Sequence, residues 1–204
     1  MPRAAGALPC HHQMADRATL HVIHEGSIDD DHVTSTVSLI LDGDARMVVD
    51  PGMVADRRQI VDGIGRHGVE PGQVTHVLFT HHHPDHTLNA ALFPNADVVD
   101  AWATYRGDLW LDHSGDGFHP TPHVRLLATP GHSAQDVTWL VETDGGVMAC
   151  THAWGLADSK PEDDGYATDQ RALAQSREQI LRTADVVVPG HDAPFPTGRD
   201  PHGG

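Results

Sequence analysis

The sequence predicts a single α/β domain in which paired β-sheets are covered by helices on the outside. Short β-rich segments followed by helical segments occur in both halves of the chain, which is the first observation behind this prediction. The second is composition: 39% of the residues are hydrophobic and only 5% aromatic, so the core must consist mainly of Val, Leu, Ile and Ala. The third is length, since a chain of 204 residues forms one substantial core more readily than two.

In the first half, β-rich runs predict strands that end at loop signals such as Asp50-Pro51-Gly52. These strands cover residues 18–24, 34–41, 46–49, 74–79 and 96–99. A helix that ends near residues 65–68 is predicted from an apolar stripe formed by Val54, Ile60, Val61 and Ile64. A short helix is predicted over 87–92, and residues 101–123 are predicted to be irregular.

The second half repeats the alternation of strands and helices. Strands are predicted over 124–128, 137–141, 147–150 and 185–188. Leu173, Ile180 and Leu181 predict an amphipathic helix before the last strand. The predicted domain therefore extends from 18 to 191. Residues 1–17, which include the triplet Cys10-His11-His12, and residues 192–204 are predicted to be flexible tails.

The charge, the distribution of apolar residues and the number of cysteines each exclude a class of partner or of structure. The formal net charge is -16, Lys and Arg together total 13, and Lys160 is the only lysine, so a nucleic-acid groove with many phosphate contacts is not expected. No stretch of the sequence approaches the roughly 20 apolar residues that span a bilayer, so no membrane segment is expected. Two cysteines cannot form a disulfide framework. We therefore expect a cytoplasmic protein that acts on a small molecule, and the sequence leaves its oligomeric state open.

Histidine is unusually frequent, with 18 residues, and several of these follow predicted strands. In the run from Thr80 to His86, His81 and His83 point the same way, because side chains on an extended segment repeat with a period of two. Asp85 and His86 follow at the start of a short helix, where they can face a second ion. His82 alternates away from both and is not expected to bind metal. Because imidazole and carboxylate groups are common zinc ligands, the run predicts a metal site.

Three later histidines occur in the same structural setting. His132 and His191 each follow a Pro-Gly pair, and glycine lets the backbone turn sharply and approach a metal closely. His152 comes just after the strand that ends at Cys150. These three residues are therefore further candidates for metal ligands.

With these motifs the chain resembles the metallo-β-lactamase fold superfamily over nearly all of residues 18–191. The resemblance rests on the family's His-x-His-x-Asp-His pattern after a β-segment, on the order of the later histidines, and on Asp50-Pro51-Gly52, which is similar to an upstream Asp-x-Gly turn. It implies an αββα four-layer sandwich. It also implies two metal sites, which would be formed by His81, His83 and His132 for metal one and by Asp85, His86 and His191 for metal two.

The sequence departs from the family pattern at His152. Most hydrolases of the family have an aspartate there that bridges both metals, whereas this chain reads Cys150-Thr151-His152. A carboxylate has two oxygens for bridging, but a neutral imidazole offers one lone pair. Three outcomes are open. His152 completes the ligand set of metal two, one metal site is lost, or the His152 side chain points away from the site.

We expect a metal-dependent hydrolase in which two zinc ions generate a hydroxide at neutral pH and polarise the group that it attacks. Asp85 is expected to bind metal two and to align the hydroxide by accepting its hydrogen bond. Asp50 and Thr80 are expected to support the ligands from behind. Iron and manganese remain alternatives to zinc.

The resemblance indicates hydrolysis without defining the substrate. A small carbonyl-type substrate, such as an ester, lactone, thioester or amide, is the preferred prediction. A phosphodiesterase of the same fold, an accessory protein that binds metal without hydrolysis, and a redox enzyme with iron are the alternatives.

A set of aromatic residues and one lysine complete the candidate site. They are considered for a substrate pocket because they occur in loops near the histidines, where aromatic residues also often just pack a loop down. The set consists of Trp102, Tyr105, Trp110, Trp154, Lys160 and Tyr166.

Overall fold

The structure is a computed structural model that describes residues 17–199. The predicted N-terminal tail, with Cys10-His11-His12, lies outside the described residues except for Arg17. The elements in chain order are β1 (Thr19–His24), β2 (Ser27–Ile28), β3 (Val33–Thr34), β4 (Val37–Asp42), β5 (Ala45–Val49), α1 (Arg58–Gly65), β6 (His76–Leu78), α2 (Pro84–Thr87), β7 (Asp97–Val99), β8 (Ala103–Arg106), β9 (Leu109–Asp112), β10 (Val124–Ala128), β11 (Val137–Thr143), β12 (Gly146–Cys150), α3 (Gln170–Thr183), β13 (Val186–Val188) and β14 (Phe195–Pro196). Short 3-10 turns occur at Pro71–Gln73, Ala90–Leu92 and Pro161–Asp163.

The strands form two large sheets and one small hairpin. The first sheet has seven strands in the order β1-β4-β5-β6-β7-β8-β9, and the second has five in the order β10-β11-β12-β13-β14. β5, β6 and β7 are parallel to one another, as are β12 and β13, and the remaining neighbours are antiparallel. β2 and β3 pair only with each other. This small hairpin lies beside the histidines of the candidate site.

The alternation of side chains along each strand builds the layers. Successive strand residues point to opposite faces of a sheet, so Ile40 packs into the core between the two sheets while its neighbour Leu39 packs outward against α1. In the second sheet Trp139 faces the same central core, whereas Leu140 packs outward against α3. Two sheets with a helix outside each confirm the predicted layering.

Each covering helix buries one apolar stripe. In α1, Ile60 and Ile64 are buried against the outer face of the first sheet. In α3, Leu173 and Ile180 are buried against the second. Asp169 precedes α3, and its side chain accepts hydrogen bonds from the backbone amides of the first helical turn, which otherwise lack partners.

The strand ends converge at one edge of the sandwich. β10 and β12 are both antiparallel to β11 and therefore run in the same direction, which is also that of β13. Two backbone hydrogen bonds join the sheets there: Val137 N donates to Thr80 O over 2.9 Å, and Thr36 N donates to Gly190 O over 2.7 Å. Segments after β5, β6, β10, β12 and β13 consequently meet in one place.

The structure corrects three sequence predictions. Residues 101–123 are not wholly irregular, since β8 and β9 form a hairpin there; every residue of β9 is exposed, so the strand has no hydrophobic alternation to reveal it. The short helix begins at Pro84 rather than at 87, because proline is well suited to a first helical position. The predicted strand 34–41 is interrupted at Ser35 and Thr36, which bond across to other loops.

The C-terminal segment is also more ordered than a flexible tail from 192 onward. Phe195 and Pro196 pair with β13, and the Phe195 ring contacts Trp154 with centroids 5.8 Å apart. Within the described part of the chain, no helix has the length and apolar character required to cross a membrane.

Candidate metal centre

The segment after β6 brings its ligand candidates together by folding into α2. His83 is extended at the start of this helix and Pro84 occupies its first turn. His81 and His86 are fully buried. His82 points elsewhere, with Nε2 2.9 Å from Asp100 Oδ2, in agreement with its predicted alternation.

A first group consists of His81, His83 and His132. His83 Nδ1 lies 3.0 Å from His81 Nε2 and 2.9 Å from His132 Nε2. Three imidazole nitrogens from two sheets therefore converge on one point.

A second group consists of Asp85, His86 and His191. His191 Nε2 lies 3.4 Å from His86 Nε2. Asp85 Oδ2 lies 3.3 Å from His86 Nε2 and 3.5 Å from His191 Nε2. This group places a carboxylate oxygen beside two imidazole nitrogens.

These separations suit divalent metal ions. Two nitrogen ligands at about 2.05 Å from a tetrahedral zinc ion would be about 3.3 Å apart. The nitrogen-nitrogen separations of the pairs His81–His83, His83–His132 and His86–His191 lie between 2.9 and 3.4 Å. The donors are mixed nitrogen and oxygen, which borderline metals such as zinc accept. The residues present therefore fit a metal-binding centre.

His152 lies between the two groups. It could hold an ion together with His81 and His132, or together with His86 and His191, because in either set the ligand atoms lie within 4.8 Å of one another. Its Nε2 is 3.0 Å from His191 Nε2. The side chain therefore points into the cluster instead of swinging away.

The surroundings of His152 are tight and partly unsatisfied. A Cβ on Gly190 would come within 2.6 Å of His152 Cδ2, so the glycine predicted to allow a sharp turn also makes room for this ring. His152 Nδ1 is buried and has no hydrogen-bond partner among residues 17–199. A buried nitrogen without a partner is costly and invites an explanation.

Asp50 supports the cluster from behind, where the sequence predicted a supporting residue. Its carboxylate accepts hydrogen bonds from His86 Nδ1 over 2.9 Å and from Thr80 Oγ1 over 2.6 Å, and Thr80 N donates to it over 2.8 Å. Asp50 has a φ of 47°, a left-handed conformation that Asp tolerates better than most residues. The Asp50-Pro51-Gly52 turn thus fixes the His86 ring.

Gly52 brings this turn against the backbone of α2. A Cβ at this position would lie 1.5 Å from Asp85 O, and Met53 N donates to the same carbonyl over 2.7 Å. Only a residue without a side chain allows this contact. The turn after β5 therefore positions Asp85 as well as His86.

The electrostatics keep most of the imidazoles neutral and Asp85 ionised. Burial is the main cause that lowers the pKa of His81 and of His152, and the neighbouring imidazoles lower it further. Burial likewise lowers the pKa of His191 to about 4. Burial alone would lower the pKa of His86, but Asp50 and Asp85 outweigh it and raise the pKa to about 9. Burial would raise the pKa of Asp85, yet the hydrogen bond with His86 prevails and lowers it to about 2. A neutral imidazole has the free lone pair that a metal requires.

The cluster opens into a cleft of about 840 Å³. The hairpin segment 28–33 forms one wall, and residues 155–166 of the loop 155–168 form another. His83, Asp85, His132, His152 and His191 line its floor. A small molecule in this cleft would therefore contact both candidate metal groups.

Of the residues predicted for a substrate pocket, the structure brings Tyr166 to the cleft, where its side chain is 84% exposed. Trp154 is buried beneath the loop, with Arg177 stacked over its ring. Lys160 belongs to the loop but is not among the described residues that line the cleft. For Trp154 and Lys160, the prediction of pocket contact is not met.

The other three pocket candidates lie on the side of the first sheet around β8 and β9, away from the cleft lining. Tyr105 donates its hydroxyl hydrogen to Asp100 over 2.8 Å, and Trp102 lies against His82 with centroids 5.2 Å apart. Trp110 is 60% exposed and packs on Tyr105. These aromatics stabilise the hairpin and its connection.

Two features of the site have no clear signal in the sequence. Asp164 Oδ2 lies 2.7 Å from His132 Nδ1, a contact between residues 32 positions apart for which the sequence gives no signal. The Asp29-Asp30-Asp31 turn reads as a solvated loop, yet it forms a cleft wall. Only the folded chain shows that both acidic segments face the histidines.

Comparison with known proteins agrees with this architecture. The model of the metallo-beta-lactamase superfamily matches residues 30–153. A Xenopus laevis protein named Metallo-beta-lactamase domain-containing protein 1 is 31% identical, over 87% of this chain and 81% of its own length. The rat protein of the same name is 36% identical over 76% of this chain, and the alignment spans only 64% of the rat protein.

Lactone-cleaving proteins are more distant relatives. The N-acyl homoserine lactonase of Bacillus cereus is 26% identical over 70% of this chain and 65% of its own length. The solved structure of an N-acyl homoserine lactone hydrolase with N-hexanoyl-L-homoserine at its catalytic metal centre superposes with a TM-score of 0.60 at 16% identity, covering 87% of this chain and 94% of that one. The two sheets form the αββα sandwich of this fold, and the chain belongs to the metallo-beta-lactamase superfamily.

Proposed function

We propose that this protein is a hydrolase that uses two zinc ions to cleave a small carbonyl-type substrate, an ester, lactone, thioester or amide. The observation that carries the proposal is the convergence of six imidazoles and the Asp85 carboxylate at an open cleft, which is lined by Asp85 and by four of these imidazoles. His81, His83 and His132 would hold one ion, and Asp85, His86 and His191 the other. His152 would complete the second set.

When bound, such ions supply Lewis-acid polarisation of a carbonyl and a water-derived nucleophile at neutral pH. The chain itself supplies orientation. The Asp85 carboxylate belongs to the second group and lines the cleft, so it can accept a hydrogen bond from the attacking water and direct the lone pair of that water towards the substrate. Asp50 keeps the His86 ring in one orientation while this happens.

The charge of the cleft favours a carbonyl substrate over a phosphodiester. Asp29, Asp30 and Asp31 stand on one wall and Asp163 and Asp164 on the other, whereas the described residues that line the cleft include no lysine or arginine. The binding of a phosphodiester usually relies on Lys or Arg contacts to its oxygens. Beyond the ions themselves, this cleft would repel an anionic substrate. The lactone hydrolases among the relatives and structural neighbours support the same choice.

Elemental analysis and substrate screening together test the proposal. Untagged protein should contain two zinc ions per chain and should hydrolyse at least one class in a panel of neutral esters, lactones, thioesters and amides faster than phosphodiesters. Asp85→Asn should lower kcat by about 10²- to 10⁴-fold, the usual range for loss of a positioned acid-base group. Asp44→Asn, which changes an exposed carboxylate on a distant turn, is the matched control.

Three results would contradict the proposal. One metal ion or none per chain, with no turnover of any substrate, would instead indicate an accessory protein. Iron in place of zinc would direct attention to redox chemistry. Preferential cleavage of phosphodiesters would overturn the argument from the acidic walls.

A further inference from the structure

We propose that Asp164 is a positioning residue that orients His132 and couples the cleft-wall loop 155–168 to metal binding. The inference rests on the proposed first metal group of His81, His83 and His132. It adds a residue that neither the sequence motif nor the family pattern given above includes. It also assigns the loop a role in metal retention.

The two nitrogens of His132 have different neighbours. Nε2 faces the first group, 2.9 Å from His83 Nδ1, while Nδ1 lies 2.7 Å from Asp164 Oδ2. An ionised carboxylate has no hydrogen to donate, so Nδ1 donates to Asp164, and in a neutral ring the lone pair is then on Nε2. A hydrogen bond of this kind sets the tautomer and the ring orientation of a metal-binding histidine.

Burial makes this contact more than a surface ion pair. The His132 side chain is 5% exposed and that of Asp164 is 17% exposed. Contacts between exposed polar groups are weakened by water and salt, but this hydrogen bond is largely shielded. The hydrogen bond therefore holds the ring in a single position at the cleft floor.

Asp164 is itself fixed by the loop around it. Its Oδ1 accepts from Tyr166 N over 3.0 Å, its backbone carbonyl accepts from Gln170 Nε2 over 2.8 Å, and its N donates to Pro161 O over 3.2 Å. Thr168 N donates to His132 O over 3.0 Å. The loop thus contacts His132 through a side chain and through the backbone, and an ion that fixes His132 should also order the loop.

Asp164 completes a pattern in which buried ligand candidates have an acceptor behind them. His86 donates to Asp50, and His191 Nδ1 donates to Thr34 O over 2.9 Å. His132 has Asp164 in the equivalent role. His152 differs, since its Nδ1 has no partner among the described residues. Asp164 thereby serves the first group as Asp50 serves the second.

Metal affinity measured by chelator competition tests the proposal without any substrate. In metal-stripped protein reloaded with zinc, Asp164→Ala should weaken binding at one of the two sites by about 10- to 100-fold, as for other partners of metal-binding histidines. Asp164→Asn should retain part of the affinity, because its amide oxygen can still accept from Nδ1. Asp163→Asn removes the same charge from the same cleft wall without touching a histidine, and it should bind zinc as the unmodified protein does.

Hydrogen exchange of backbone amides supplies the second readout. Zinc should protect the amides of Tyr166, Thr168 and Asp169 in the unmodified protein, and this added protection should be lost in Asp164→Ala. Circular dichroism and thermal unfolding of the metal-free variants establish that they are folded. If Asp164→Ala does not fold, the comparison of Asp164→Asn with Asp163→Asn decides the question.

Unchanged zinc affinity in both Asp164 variants, or an equal loss in Asp163→Asn, would overturn the proposal. The outcome is separable from that of the proposed hydrolysis. A protein that binds zinc through Asp164 but cleaves no substrate would retain this inference and lose the proposed function. An active hydrolase whose metal affinity does not depend on Asp164 would retain the proposed function and lose this inference.

Discussion

The Asp50 carboxylate receives the Nδ1 hydrogen of His86 over 2.9 Å, and thereby joins the turn after β5 to the helix that follows β6. Because the same carboxylate also accepts from Thr80, it fixes both ends of the segment 80–86. Asp50→Ala should therefore weaken zinc binding at the second group by about 10- to 100-fold. Competition with a chromogenic chelator measures the change. Asp44→Asn serves as the control. Equal zinc affinities in the two variants would show that Asp50 does not support zinc binding.

Gly52 should be intolerant of even one added methyl group. Its Cβ would lie 1.5 Å from Asp85 O, so the turn or α2 would have to move. We expect Gly52→Ala to lower the free energy of unfolding by about 1–3 kcal/mol or more, the usual cost of overpacking, and to weaken zinc binding. Gly65→Ala is the matched control, because that exposed helical position has open space around it and alanine is favoured in helices. Denaturant unfolding of both variants makes the comparison, and similar midpoints would contradict the expectation.

His152→Asp should strengthen retention of the second ion. An aspartate adds a negative charge and two oxygens at a position from which His152 approaches both groups. We expect the weaker of the two zinc dissociation constants to fall, and the pH-rate profile of any hydrolysis to shift upward because the ions become weaker Lewis acids. Elemental analysis after dialysis against a chelator measures the first effect. Identical metal content and identical pH profiles would mean that His152 does not influence the centre.

The free energy of unfolding at acid pH should depend on Asp42. Burial would raise the pKa of Asp42, but hydrogen bonds from the His123 ring and backbone outweigh it, and the pKa lies below its ordinary value. A carboxyl whose pKa is lower in the folded state stabilises the fold above its unfolded pKa of about 3.9, and this stabilisation is lost as the pH falls through the folded value. The unmodified protein should therefore lose more unfolding free energy than Asp42→Asn between about pH 5 and the acid limit of folding. Parallel curves in urea titrations of the two metal-free proteins would refute this.

The aromatic residues should separate into two functional classes. Tyr166 lines the cleft, whereas Trp110 lies on the exposed β8–β9 hairpin. Once a substrate is identified, Tyr166→Ala should raise KM, because the loop loses a contact surface for the bound molecule. Trp110→Ala should leave KM and kcat unchanged. An effect of Trp110 on KM that matches that of Tyr166 would show that the hairpin contributes to substrate binding.

Much of this arrangement follows from local patterns in the sequence. The β-rich runs were enough to indicate sheets covered by helices, and the spacing of His81 and His83 indicated a shared ligand direction. Residues close in sequence reveal their geometry because a strand or a helix fixes their relative directions.

Contacts between distant segments were harder to predict. Nothing near Asp164 indicates that it reaches His132, since loop conformation depends on packing against the rest of the fold. Trp154 occurs in a loop and was assigned to a pocket, yet contacts with Phe195 and Arg177 bury it. In β9, exposure of every residue removed the pattern on which strand prediction relies.

The convergence of strand ends from both sheets has a thermodynamic consequence. His81, His83, Asp85 and His86 follow a strand of the first sheet, while His132, His152 and His191 follow strands of the second. If the proposed metal binding holds, an ion bound by residues of both sets would act as a removable cross-link between the two halves of the polypeptide. Ligand linkage then adds about 2.7 kcal/mol to stability when free ion exceeds its dissociation constant by 100-fold. Neither half alone contains a complete first group, so tight binding of the proposed ion would require the assembled sandwich, and the metal-free protein would be the less stable form.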